Sequence, residues 1–117
     1  MIEIKKESRE FSDVERYLMT IAPNIEQMKN VADGEKITVA GFIVFDDIKE
    51  DGTSTEVMSI ITPDKHVFAF QSDTFKRSIY DLFNLFKGRA VTIIKMSGKT
   101  KAGRDFIKCC LDVDSVE

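Results

Sequence analysis

Apolar residues recur at steps of three and four near the start of the chain, which is the spacing of one helical face. They are Phe11, Val14, Leu18, Ile21, Ile25 and Met28. Ser12-Asp13-Val14-Glu15 is a capping box, whose serine hydroxyl and glutamate each accept from a backbone amide at a helix start. Because an interior proline costs roughly 3 kcal/mol, Pro23 predicts two short helices, 13–21 and 23–30, within an N-terminal helical extension of residues 1–32. Their apolar face either packs against the rest of the protein or mediates self-association into a homo-oligomer.

After residue 35 the pattern changes to that of β-strands. KITVAGFIVFDDI is rich in β-branched and aromatic residues and predicts one long strand, which Gly41 allows to bend. An Asp-Gly turn and a Pro-Asp turn separate it from two further strands, TEVMSIIT and HVFAFQ. Ser72 or Asp73 then caps a helix that ends at Gly88. AVTIIKMS and DFIKCCLDV are the predicted fourth and fifth strands.

Three strands, one helix and two strands, in that order, are the elements of the OB-fold. We therefore predict a mainly β protein in which residues 33–117 form an OB-fold-like five-stranded barrel. The helix lies between strands three and four, and the loop joining strands four and five belongs to the ligand-binding surface. An unrelated α+β sandwich with the same order of elements is the alternative.

Charge is distributed unevenly along a chain of 117 residues whose formal net charge is −3. Residues 1–56 carry seven Lys/Arg against thirteen Asp/Glu, a sum of −6, whereas residues 87–108 carry seven against one, a sum of +6. The basic C-terminal part therefore favours a polyanionic ligand despite the acidic total.

The cysteines and the start of the chain indicate the cellular compartment in which the protein is located. Cys109 and Cys110 are adjacent in a predicted strand, where their side chains point to opposite faces, so a bond between them would be strained. This favours a reducing environment. MIEIKKESRE has no apolar segment typical of a signal peptide, and no stretch approaches the ~20 apolar residues of a membrane span. We expect a cytoplasmic protein that does not bind membranes.

The segment SGKTKAGRDF, residues 97–106, contains a Gly-Lys-Thr triplet typical of the end of a phosphate-binding P-loop. That motif also needs a glycine five positions earlier and a helix afterwards. Ile93 occupies the earlier position and the next element is a predicted strand, so a Walker motif is excluded. The segment instead predicts a β-hairpin that carries a cluster of cations. These cations, which either contact a phosphate backbone or are simply solvated, are Lys99, Lys101 and Arg104.

Binding of a nucleic-acid single strand requires rings on which bases stack, as well as cations for the backbone. The chain has no Trp, and both tyrosines fall on predicted helices. Phenylalanines are therefore the candidate platforms, first Phe68 and Phe106 and then Phe42. His66 lies on the same strand face as Phe68 and either stacks, donates to a phosphate, or is an ordinary surface histidine.

Strand alternation brings further cations into the predicted site. It places Lys95 with Ser97 on one face of the fourth strand, and Phe106 with Lys108 on one face of the fifth. We predict that the nucleic-acid-binding residues are Lys95, Lys99, Lys101, Arg104, Phe106, Lys108, Phe68, Phe42 and His66.

Catalysis is not expected. A single histidine and two adjacent cysteines lack the spacing of a zinc site, and no Ser/His/Asp or Cys/His set is recognisable. We therefore predict no enzyme activity, no metal and no cofactor. The acidic segment DDIKEDGT, which joins the first two strands, would repel phosphates, so it either lies away from the ligand or limits its affinity.

Residues 33–113 resemble the small single-stranded DNA-binding proteins encoded by tailed phages of Gram-positive bacteria. The similar segments are DGEKITVAG, HVFAFQS with the helix TFKRSIYDLFNLF, and SGKTKAGRDFIKCCL, which looks like the basic hairpin and aromatic strand of that family. The resemblance implies an OB-like fold, sequence-independent coating of single strands during phage DNA replication or recombination in the host cytoplasm, and no cofactor. By position, Lys99, Lys101, Arg104 and Phe106 would supply the basic hairpin, and Phe42 and Phe68 the other aromatic positions.

Two other functions remain open. The chain is alternatively a protein-interaction module, for instance a phage factor that binds a host protein through residues 11–28. RNA is a further possible ligand, because backbone and stacking contacts do not by themselves sense the 2′-hydroxyl. Replication or recombination proteins are possible additional partners under the DNA-binding hypothesis.

Overall fold

The computed structural model describes residues 1–115, which form two β-sheets and two α-helices. In chain order the strands and helices are β1 Ile2–Glu7, α1 Asp13–Thr20, β2 Glu26–Gln27, β3 Lys36–Val39, β4 Gly41–Ile48, β5 Ser54–Ile61, β6 Val67–Phe70, α2 Asp73–Leu85, β7 Val91–Lys99 and β8 Asp105–Leu111. Short 3₁₀ turns lie at Met28–Asn30, directly after β2, and at Val113–Ser115, after β8. The protein is therefore mainly β, as predicted. Neither helix in this part of the chain is long and apolar enough to cross a bilayer.

The strands form a five-stranded sheet in the order β1-β4-β5-β6-β2 and a three-stranded sheet in the order β3-β7-β8. All neighbours are antiparallel except β2 and β6, which are parallel. Ala40 alone separates β3 from β4, so the chain passes from one sheet into the other there. At Gly41 the ring of Phe11 occupies the space of a side chain, 2.7 Å from an ideal Cβ position, so a larger residue there would displace that ring.

The main core lies between the two sheets and α2. Ser72 caps α2 by accepting a hydrogen bond from the amide of Phe75 at 3.2 Å, as the sequence predicts. The buried core side chains include Phe42, Met58, Ile60, Phe75, Ile79 and Ile93. A second cluster, which includes Phe11, Met19, Phe45 and Val67, packs α1 against the five-stranded sheet.

The N-terminal segment differs from its prediction. The capping box at Ser12 and Glu15 is present and α1 begins at Asp13, but the predicted helix 23–30 is wrong. Glu26–Gln27 instead pair with Phe68 and Ala69 of β6, and the turn that follows buries Met28 completely. Residues 2–7 form β1 along β4. The interpretation of residues 1–32 as a purely helical extension is therefore wrong, because pairing with open sheet edges satisfies their backbone groups.

The two sheets are not closed into a barrel within residues 1–115, because β6 and β8 are not paired. The hydroxyl of Ser72 reaches the carbonyl of Ile107 at 3.4 Å, which is the hydrogen bond that joins the start of α2 to β8. Beside this contact the space between the sheets opens to the surface as a cleft.

Candidate nucleic-acid interface

The cleft has a volume of about 890 Å³ and lies between the β7–β8 hairpin and the segments beside β6. One wall is formed by Gly98, Lys99, Phe106 and Ile107. The opposite wall is formed by Gln27, Lys29, Asn30, Gln71 and Ser72, with Phe70 and Lys95 also lining the cleft. Of the nine predicted site residues, the cleft is lined by Lys95, Lys99 and Phe106.

Phe106 is held at the wall of the cleft by its cross-strand neighbour. Gly98 pairs directly with Phe106, and the far end of the ring lies 2.8 Å from the position that a Cβ on Gly98 would take. The absence of a side chain at Gly98 therefore lets the ring lie across β7, where it is only partly buried. This is the ring in the predicted set that the structure brings to the cleft.

The residues that connect β7 and β8 form a tight turn whose cations point outward. The amide of Thr100 donates to Arg104 O at 2.9 Å, and Gly103 has a φ of 83°, which favours glycine. We call residues 99–105 the basic hairpin. Lys101 and Arg104 are exposed and form no ion pair with another described residue.

Lys99 and Lys108 are also exposed. The Lys99 ammonium lies 3.2 Å from the carboxylate of Asp105, and both side chains are more than two-thirds exposed. A surface pair of this kind contributes little, so a phosphate can compete for the lysine. Lys108 pairs with Met96 on the same outer face of the three-stranded sheet as Phe106.

Lys95 is not the free cation that the sequence predicts. It is only 3% exposed, and its ammonium lies 3.1 Å from the carboxylate of Asp33. The Ser97 hydroxyl donates to the same carboxylate at 2.6 Å. The hydrogen bond from Ser97 is the main cause, and that from Lys95 the second, of an Asp33 pKa below its usual range. The assignment of Lys95 to a phosphate is wrong, because a buried carboxylate-paired ammonium cannot reach one.

Phe42 is also wrong as an exposed platform. Its side chain is 3% exposed and packs edge-on against Tyr80 and Phe83, with ring centroids 5.4 and 5.2 Å away. Phe68 is partly buried against the main core and lies outside the cleft lining. His66 is exposed in the turn before β6, where its Nε2 lies 3.4 Å from the Asp64 carboxylate. The structure does not bring these three side chains to Phe106.

Several cleft residues have no counterpart in the sequence prediction. Gln27, Lys29 and Asn30 fall in a segment that the apolar spacing assigns to a helix. No signal in the sequence therefore predicted that they lie opposite the hairpin. Gln71 is the last residue of a predicted strand, and Ser72 was recognised only as a candidate helix cap. Their position could have been found only from the pairing of β2 with β6.

The acidic segment between β4 and β5 lies away from the cleft, since none of residues 46–53 lines it. Asp46 is 3.7 Å from Lys5, which also contacts Glu56 at 2.7 Å. Residues 1–115 contain no group of three or more His, Cys, Asp or Glu side chains that could hold a metal ion.

The two cysteines are unbonded and differ in environment. Burial raises the pKa of the Cys109 thiol to about 12, so it stays protonated and unreactive. Cys110 is exposed, with its sulfur 3.8 Å from that of Met96. The two side chains point to opposite faces of β8, as the predicted strand requires.

Comparisons with protein-family models, curated proteins and solved structures give no match for this chain.

Proposed function

We propose that this protein is a non-catalytic single-stranded DNA-binding protein. The observation that carries the proposal is the position of Phe106, a partly exposed ring held over Gly98 at a cleft next to the exposed cations Lys101 and Arg104 of the basic hairpin. A ring for the bases and cations for the backbone are the two parts that single-strand binding requires. The resemblance to phage single-stranded DNA-binding proteins supports the same function, in phage DNA replication or recombination.

An OB-fold-like arrangement is part of this proposal. With β3 and β4 taken as one bent strand, β5, β6, α2, β7 and β8 follow in the order of that fold. The cleft lies between β6 and β8, the third and fifth strands of such a barrel. In OB-folds the strand-four-to-five loop contacts the ligand, and here that loop is the basic hairpin.

The cations that can contact phosphates are Lys99, Lys101 and Arg104, with Lys29 on the opposite wall of the cleft. If about three phosphates are neutralised, the logarithm of the binding constant falls by about 2 for each tenfold rise in salt, since each single-strand contact contributes about 0.7. Backbone contacts of this kind do not depend on sequence, which makes them suitable for coating.

Fluorescence anisotropy with labelled oligo-dT, duplex DNA and RNA at two salt concentrations tests this function. Tight, salt-dependent binding of oligo-dT with weak binding of the duplex supports it. The double variant Lys101→Glu with Arg104→Glu should abolish binding. The matched control, Lys49→Glu with Lys87→Glu, makes the same change in net charge at exposed sites outside the cleft. Equal loss in both variants, or a flat salt response, would contradict the proposed contacts.

A protein-interaction module is the second candidate, because α1 leaves part of its apolar face uncovered. Val14, Tyr17 and Ile21 are 67%, 48% and 61% exposed and are spaced three and four residues apart, as neighbours on one helical face are. Under this alternative the charge-reversed hairpin leaves partner capture intact, whereas Val14→Asp with Ile21→Asp abolishes it. Single-strand binding predicts instead that the charge-reversed hairpin abolishes DNA binding, whereas Val14→Asp with Ile21→Asp leaves DNA binding intact.

A further inference from the structure

Three carboxamides from separate segments converge on the cleft. Gln27 belongs to β2, Asn30 to the 3₁₀ turn that follows it, and Gln71 to the link between β6 and α2. All three residues are exposed, and none of their side-chain amides forms a hydrogen bond within residues 1–115. Their donors and acceptors are therefore available to a ligand.

The other polar groups that line the cleft are already committed. The hydroxyl of Ser72 accepts from Phe75 N and reaches Ile107 O, and that of Ser97 donates to Asp33. Lys95 is paired with the same carboxylate. Apart from Lys29 and the surface pair of Lys99, the groups free to bind in the cleft are thus uncharged amides.

A carboxamide presents one acceptor and two donors next to each other, which is also how a nucleobase edge is built. Asn and Gln pair with base edges through two hydrogen bonds, and the four bases differ in their order of donors and acceptors. Unstacked bases of single strands expose these edges to protein side chains. The partly exposed ring of Phe106 lines the same cleft and offers apolar surface to the base plane, whereas Phe70 is buried at its floor in contact with Phe75.

We propose that the cleft binds a nucleobase of the bound strand and reads its edge through Gln27, Asn30 and Gln71. This inference rests on the proposed single-strand binding and adds a base preference to it. The basic hairpin holds the backbone of any sequence, while the cleft makes one position of the site selective. The cleft volume of about 890 Å³ falls in the range of sites that take small organic ligands, roughly 300–1,000 Å³.

Anisotropy titrations with labelled dA, dC and dT homopolymers of about 12 nucleotides, a length within the known range of single-strand site sizes, test the inference. We expect the wild-type affinities to span about tenfold, because a bidentate base contact discriminates at this level. The double variant Asn30→Ala with Gln71→Ala should bind all three within about twofold of one another. Asn84→Ala, which removes an exposed carboxamide on α2 outside the cleft, is the control and should keep the full span. Circular dichroism verifies that each variant is folded.

The outcomes separate the two proposals. Tight binding of all homopolymers with equal affinity overturns the base-reading cleft and leaves single-strand binding in place. If the double variant keeps the wild-type difference in affinity among the homopolymers, the base preference comes from other residues, which also overturns the inference. Failure to bind any of the oligonucleotides overturns the proposed function together with the inference.

Discussion

The ring of Phe106 rests on the backbone of Gly98, and no side chain could be added at Gly98 without moving that ring. The two residues face each other across the β7–β8 pair. Gly98 therefore acts on the cleft through Phe106, near the end of β7, although a glycine within a strand otherwise weakens pairing.

This relationship predicts that Gly98→Ala weakens oligo-dT binding by displacing the ring. Phe106→Ala should weaken it by about tenfold, within the 1–3 kcal/mol of one base–aromatic stack. In the Phe106→Ala background, Gly98→Ala should have little further effect, because the ring on which it acts is gone. Additive losses in a double-mutant cycle would show that Gly98 does not act through Phe106.

Lys95 provides a second prediction. Since its ammonium is buried against Asp33, Lys95→Met should leave both affinity and salt slope within about twofold of wild type, as it removes no phosphate contact. Lys101→Met should reduce the slope by about 0.7. Asp33→Ala should lower the thermal midpoint, because Lys95 would lose its carboxylate partner. A reduced salt slope in Lys95→Met would restore this residue to the DNA contacts.

A buried lysine on α2 predicts a stability effect outside the cleft. The Lys76 side chain is 7% exposed, and its ammonium contacts the Glu56 carboxylate and carbonyl at 3.0 and 3.1 Å. Glu56→Ala should destabilise the fold by about 3 kcal/mol in urea unfolding, because it leaves a buried charge without its main partner. Adding Lys76→Met should recover most of this loss. No recovery would mean that Glu56 acts through Lys5 instead.

Glu15 predicts the pH dependence of stability. Its carboxylate accepts from Lys65, the Ser12 amide and Arg9, and these contacts lower its pKa to about 2. The stabilisation is therefore present above the unfolded-state pKa of roughly 4.3 and is lost as the pH falls toward 2.

Glu15→Gln should accordingly unfold at lower urea than wild type at pH 6, and the difference should close toward pH 2. Glu3→Gln, at an exposed residue that forms no ion pair with a described residue, is the control. A difference that stays constant with pH would contradict the role of the Glu15 charge.

Local signals in the sequence predicted much of the fold. The capping box at Ser12 and the cap at Ser72 each depend on neighbouring residues, and the structure contains both. The predicted long strand through Gly41 is instead two strands, β3 and β4, which belong to different sheets. Residues 2–7 were missed because a short charged edge strand has little apolar alternation. Helix 23–30 was predicted wrongly because its apolar spacing serves a strand pairing with β6 instead.

The site was less predictable because its details depend on residues distant in sequence. Lys95 is buried by Asp33, which lies 62 positions earlier. Phe42 becomes a core residue through contacts with α2. By contrast, the exposure of Lys101 and Arg104 follows from the turn itself, so the sequence alone was sufficient to predict it.

The central claim is that a single strand binds at the cleft and the basic hairpin. A ¹H–¹⁵N correlation spectrum of the uniformly labelled protein, titrated with oligo-dT, tests it directly. We expect the largest shift changes at residues 98–106 and at Asn30 and Gln71, with α1 unaffected. Changes confined to α1, or their absence from the hairpin while the oligonucleotide is bound, would contradict the account.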